Sequence, residues 1–216
     1  MEETRRITHI NEIANSVTHG FGALLAIAAL VLLVVFANIY GNVWHVVSFS
    51  VYGSTLVLLY LSSTLYHSIQ VPRVKNILRI IDHSAIYVLI AGTYTPFTLV
   101  TLREGQGWVL FGVVWGLALA GIIYKTFFIS RFEVISTLFY PVMGGLIIFY
   151  IHDLLVNLPL NGFILLAAGG VSYIFGMIFY AARDKLLMHA VWHLFVLGGS
   201  ICHFFAIFFY VLPLKG

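Results

Sequence analysis

Residues 17–38 read VTHGFGALLAIAALVLLVVFAN, without one Asp, Glu, Lys or Arg. That length matches the roughly 20 residues a helix needs to cross a hydrocarbon core. Six more apolar runs follow, at residues 43–64, 84–102, 108–128, 134–151, 161–182 and 190–212. Between them lie short links rich in turn-formers or charge: Tyr40-Gly41-Asn42, Gln70-Val71-Pro72-Arg73, Arg103-Glu104-Gly105, Asn157-Leu158-Pro159 and Arg183-Asp184-Lys185. Links this short favour antiparallel neighbours. The pattern predicts an all-α membrane protein, a seven-transmembrane helix bundle forming one domain over residues 1–216. A short segment, residues 1–16, precedes the first span, and no soluble domain is expected on either side.

Composition leads to the same class. Hydrophobic residues make up 61% of the 216 and charged residues 9%, against roughly 25% charged in a soluble domain. Too little polar surface remains to coat a water-soluble globule. The net charge of +3 is spread over short loops with no basic stripe, so nucleic acid is not an expected partner. Cys202 is the only cysteine and has no intrachain disulfide partner. The first apolar run exceeds the 7–15 residues of a typical signal core, so it is read as a retained span.

Basic residues set the orientation. With the N-terminus inside, the cytoplasmic side holds Arg5, Arg6, Arg73, Lys75, Arg79, Lys125, Arg131, Arg183 and Lys185, and the outside keeps Arg103 and Lys215. This asymmetry also favours an odd number of spans, with the C-terminus outside. Pro96, and Pro141 with Gly144-Gly145, are expected to kink or loosen the third and fifth spans. The other glycines, Gly169, Gly170, Gly176, Gly198 and Gly199, read as close-packing positions.

Three segments place polar groups at one depth. The second helix ends inside with Ser63-Thr64-Leu65-Tyr66-His67, and Ser63 and His67 share a face at i,i+4. The third starts inside at Asp82-His83. The seventh starts inside with His189-Ala190-Val191-Trp192-His193, another i,i+4 pair. Two such histidines can hold one metal ion from a single turn. His67 would add a third nitrogen and leave a fourth position open, the pattern of a catalytic rather than a structural site. Zinc suits three imidazoles, although spacing alone does not separate it from iron or nickel. Asp82 and Ser63 are the candidate catalytic partners beside the metal. Asp82 also reads as an N-cap of the third helix, and Ser63 as a hydroxyl bonded back to its own helix. Ionisable groups within spans are costly and functional by default. His203 lies too far along its helix to share the ion and reads as a packing residue or part of a polar path. His19, near Asn15, is read as structural or as a partner of the site. His9, His45 and His152 are expected to be interfacial or exposed, and His83 to point elsewhere.

Taken together, Glu12 to Gly20 (EIANSVTHG), Ser63 to His67, Asp82 to Pro96 (DHSAIYVLIAGTYTP) and His189 to His193 running on to His203-Phe204 resemble the hemolysin III branch of the progestin and adipoQ receptor family. The resemblance covers nearly the whole chain and is closest to bacterial members tied to membrane-lipid homeostasis. It implies a cytoplasmic N-terminus and a zinc ion held by His67, His189 and His193, with Asp82 and Ser63 beside it. Three functions follow as expectations. The first is ceramidase-like hydrolysis of a lipid amide or ester. The second is a non-enzymatic sensor or regulator of membrane state with structural zinc. The third is a cytolytic toxin or channel, although no amphipathic pore-forming segment is visible. The expected partners are membrane lipids, with no established protein partner, and the expected location is a bacterial plasma membrane.

Overall fold

The structure is a computed structural model that describes residues 2–128 and 133–213. Arg131 and Lys215 lie outside the described residues, as does the side chain of Arg5. Among the described residues there are helices and no strands. They are α1 (Glu2–Tyr40), α2 (Val43–Ser68), α3 (Pro72–Pro96), α4 (Gly107–Phe128), α5 (Glu133–Gly144), α6 (Ile151–Asn157), α7 (Leu160–Ala181) and α8 (Met188–Ala206). Seven stretches are long and apolar enough to cross a membrane, with α5 and α6 forming one span. The outer surface carries large apolar side chains such as Val17, Leu24, Phe149 and Ile178, all more than half exposed. Lipid is the solvent that makes such a surface stable. The chain is an all-α, multi-pass membrane protein.

Neighbours in sequence pack as antiparallel pairs: α1 on α2, α2 on α3, and α7 on α8. The bundle closes where α1 meets α8. This closure brings the ends of α2 and α8 together against α1. Gly176 lets α7 and α8 approach, because a Cβ there would sit 2.7 Å from both Trp192 and Phe195.

Local chemistry sets the helix ends. The Asn42 side chain accepts from the Trp44 and His45 amides and starts α2. Pro72 opens α3 in the first turn, where its missing N–H costs nothing. α3 therefore begins twelve residues before the apolar run at Ser84. Asp82 is mid-helix, which removes the N-cap reading.

The predicted breakers act as expected, with local detail. After Pro96 the chain makes a π-helical turn, Phe97–Thr101, sealed by Leu102 N–H to the Phe97 carbonyl at 2.8 Å. After Gly144 the fifth span tightens into 3₁₀ turns over Gly145–Tyr150. The Tyr94 hydroxyl braces this break, donating to the Gly144 carbonyl at 2.6 Å and accepting from the Ile147 amide at 3.0 Å.

Candidate metal centre

His67 lies in the last turn of α2, and His189 and His193 lie in the first turns of α8. One ligand nitrogen from each lies within 4.8 Å of the others. The ring centroids are 5.2 Å apart for His67–His189 and for His67–His193, and 4.6 Å for His189–His193. The three side chains named from spacing and helix direction thus converge.

Helix α1 orients two of the rings. His67 Nδ1 donates to Glu12 Oε2 at 2.8 Å. His193 Nδ1 faces the Asn15 carbonyl at 3.3 Å and the Thr18 hydroxyl at 3.2 Å. Thr18 spends its own proton on the Ala14 carbonyl, so it accepts from His193. In both rings the proton sits on Nδ1, and Nε2 keeps its lone pair. This is the arrangement that fixes the tautomer of a metal-binding histidine. His67 Nε2 is buried and has no hydrogen-bond partner among the described residues. An orphaned buried acceptor costs about 1–3 kcal/mol, and a metal ion would satisfy it. The residues present therefore fit an ion held by three imidazoles, a donor set compatible with zinc.

The sequence did not mark the start of α1 as a support for the metal centre. Residues 2–16 of the short segment expected before the first span fold as the first turns of α1 and supply Glu12 and Asn15. Lys75 donates to the other Glu12 oxygen at 2.8 Å and to the Tyr66 carbonyl at 3.1 Å. Thus Glu12 bridges a cation and the His67 ring. His19, also from α1, stacks on His193 with centroids 3.4 Å apart and an interplanar angle of 13°.

The start of α8 depends on one unusual residue. Leu187 adopts φ 61° and ψ 0°, in the left-handed region, a conformation costing a non-glycine residue roughly 1–2 kcal/mol. Its amide donates to Asn11 Oδ1 at 2.8 Å. Helix α1 therefore also holds the turn that aims His189.

Asp82 and Ser63 line the same large cavity as His189 and His193. The Ser63 hydroxyl adjoins the Asp82 carboxylate without a hydrogen bond of sound geometry. Lys125 of α4, read as a loop charge, is fully buried and interacts electrostatically with Asp82. His83 does not point elsewhere. Its Nδ1 donates to the Arg79 carbonyl at 2.8 Å, which folds the ring along α3 into the cavity wall. His45 sits at a helix end as expected but is buried, donating from Nε2 to the Val211 carbonyl at 3.3 Å. His9 and His152 are exposed.

The cavity holds about 410 Å³ and runs from the histidines along α8 as far as His203. Its walls are mostly apolar, including Leu59, Ile86, Phe97 and Phe163. Ile148 and Ile174 also line it and are more than half exposed. His67 faces a smaller cavity of about 190 Å³, shared with His9 and Glu12.

Residues 7–204 match the haemolysin-III related family. The chain belongs to that family. It is 53% identical to hemolysin-3 of Bacillus cereus over 214 residues, covering 98% of each chain. It is 54% identical over 199 residues to a hemolysin-3 homolog of Bacillus subtilis (strain 168), covering 92% of this chain and 93% of the relative. The human monocyte to macrophage differentiation factor is 28% identical over 211 residues, covering 92% of this chain and 83% of the human one. That human relative links the family to the wider progestin and adipoQ receptor group, in line with the resemblance read from the motifs.

Proposed function

We propose that this protein is a zinc-dependent intramembrane hydrolase of a lipid amide or ester, ceramidase-like, serving membrane-lipid homeostasis. One observation carries the reading: His189 and His193, two of the three clustered histidines, line one mostly apolar cavity together with Asp82 and Ser63. His67, His189 and His193 would hold the ion. When bound, zinc supplies Lewis acidity and a water made nucleophilic at neutral pH. Asp82, in the cavity wall, takes up a proton at its carboxylate as general base. Ser63 offers its hydroxyl beside that carboxylate. The apolar walls hold the acyl chain and keep bulk water from the carbonyl. The basic residues near this end of the bundle support a cytoplasmic-facing site, in a bacterial plasma membrane.

The ties from α1 to His67 and His193 favour a second reading, in which bound zinc staples helices of a membrane-state regulator. The names of the Bacillus relatives add cytolysis, which predicts metal-independent release of solute from protein-loaded liposomes.

The test measures metal by elemental analysis and hydrolysis of ceramide-type lipids in wild type, Asp82→Asn and His189→Ala. Hydrolysis in wild type, lost in Asp82→Asn with metal retained, supports the hydrolase. Undiminished turnover by metal-free His189→Ala overturns it. Metal bound with no lipid cleaved supports the regulator.

A further inference from the structure

Helix α7 carries two kinds of glycine. Gly162, Gly169 and Gly176 recur every seven residues on one face. A Cβ at any of them would overlap a side chain: Tyr210 at Gly162, His203 at Gly169, and Trp192 and Phe195 at Gly176. These three let the last two spans approach. Gly170 is different, although the sequence pattern groups it with them. Successive helical residues are about 100° apart, so Gly170 faces away from that contact. A Cβ there meets nothing within 4 Å. Its backbone is ordinary helix, and no glycine among the described residues has a positive φ. Neither packing nor backbone conformation calls for glycine here. In mid-helix, glycine is destabilising relative to alanine.

What Gly170 faces is the large cavity, which it lines from α7. At 100° per residue it stands in the middle of the lining arc, with Leu166, Tyr173 and Met177 on one side of it and Phe163, Ala167 and Ile174 on the other. Tyr180 marks the metal end of this arc, its ring centroid 5.8 Å from that of His189. Gly170 lies about 15 Å farther along α7 than Tyr180, and Phe163 about 10 Å farther still. The cavity therefore continues well past Gly170, and a side chain there would project into its middle.

An extended chain advances about 1.2 Å per bond. A chain of about twelve carbons starting at the histidines thus reaches Gly170, and a longer one must pass it. We propose that Gly170 is a specificity-determining residue, which keeps the middle of the cavity clear for long acyl chains. The inference rests on the reading that an acyl chain occupies this cavity. It does not depend on hydrolysis.

Binding of decanoate, which stops short of Gly170, and of stearate, which passes it, would be measured on purified protein in detergent. Variants are compared with wild type by the ratio of the two affinities, which cancels uptake by the micelle. Gly170→Leu should lower the stearate-to-decanoate ratio about tenfold. Gly112→Leu on α4 should leave it unchanged, because a Cβ there also meets nothing within 4 Å but Gly112 does not line the cavity. An unchanged ratio in Gly170→Leu, or an equal drop in Gly112→Leu, overturns the role of Gly170 and leaves the acyl-chain cavity standing. Binding of neither chain by wild type overturns both. If Gly170→Leu fails to fold, Gly170→Ala decides: a drop of about twofold supports the proposal, and no drop overturns it.

Discussion

The Glu12 carboxylate accepts a hydrogen bond from His67 Nδ1 at 2.8 Å, across 55 positions of sequence. Its other oxygen is held by Lys75 at 2.8 Å. A carboxylate on the far nitrogen fixes the ring and raises the basicity of the near one. Glu12→Gln should therefore weaken metal binding by about 10–100-fold, the usual cost of losing such a partner. Competition against a zinc chelator of known affinity measures it. Unchanged affinity would show that His67 needs no support from α1.

Leu187 and Asn11 form the second link from α1, at the turn before His189. A β-branched side chain fits the left-handed region worse than leucine does, and glycine fits it freely. Leu187→Val is expected to lower the melting temperature and the metal content, while Leu187→Gly keeps both. The opposite ranking in thermal melts of the purified variants would remove the turn from the account of the site.

Lys125 and Asp82 are buried charges that interact. Removing either charge takes one favourable interaction from the other, at about 0.5–3 kcal/mol. Lys125→Met and Asp82→Asn should each destabilise the protein, and the double variant by less than their sum. A coupling of about 1 kcal/mol or more is expected in a double-mutant cycle. Strict additivity would show that the two charges act independently.

The α7–α8 contact gives a matched pair of tests. A Cβ at Gly176 meets Trp192 and Phe195 at 2.7 Å, whereas one at Gly170 meets nothing within 4 Å. Gly176→Ala should cost about 1–3 kcal/mol by overpacking, and Gly170→Ala should be close to neutral. Equal melting temperatures would contradict the close approach.

The spans were legible because a bilayer demands unbroken apolar length, which a single sequence displays. The three metal-site histidines were legible for a related reason. Their i,i+4 spacing and the alternating helix directions put His67, His189 and His193 at one depth before any contact was known. Glu12 stands in the family motif, but its meeting with His67 depends on the register of α1 against α2, which sequence does not display. Asp82 read as a helix start because the apolar run begins at Ser84, whereas Pro72 opens α3 far earlier. Lys125 read as a loop charge because hydropathy does not reveal which face of α4 turns inward. Sequence spacing reports depth well and facing poorly.

Metal removal tests the centre as a whole. Ligand that binds only the folded state stabilises it by RT ln(1 + [L]/Kd), about 2.7 kcal/mol at a hundredfold excess over Kd. Chelation should therefore lower the melting temperature of wild type, and re-addition of zinc should restore it. His193→Ala should melt lower from the outset and respond to neither treatment, because His193 supplies one of the three converging nitrogens. Glu12→Gln should lie between them, needing more zinc for the same recovery. A wild-type melt indifferent to chelator and zinc would mean that the histidine cluster holds no stabilising metal, and that the orphaned His67 nitrogen has another partner.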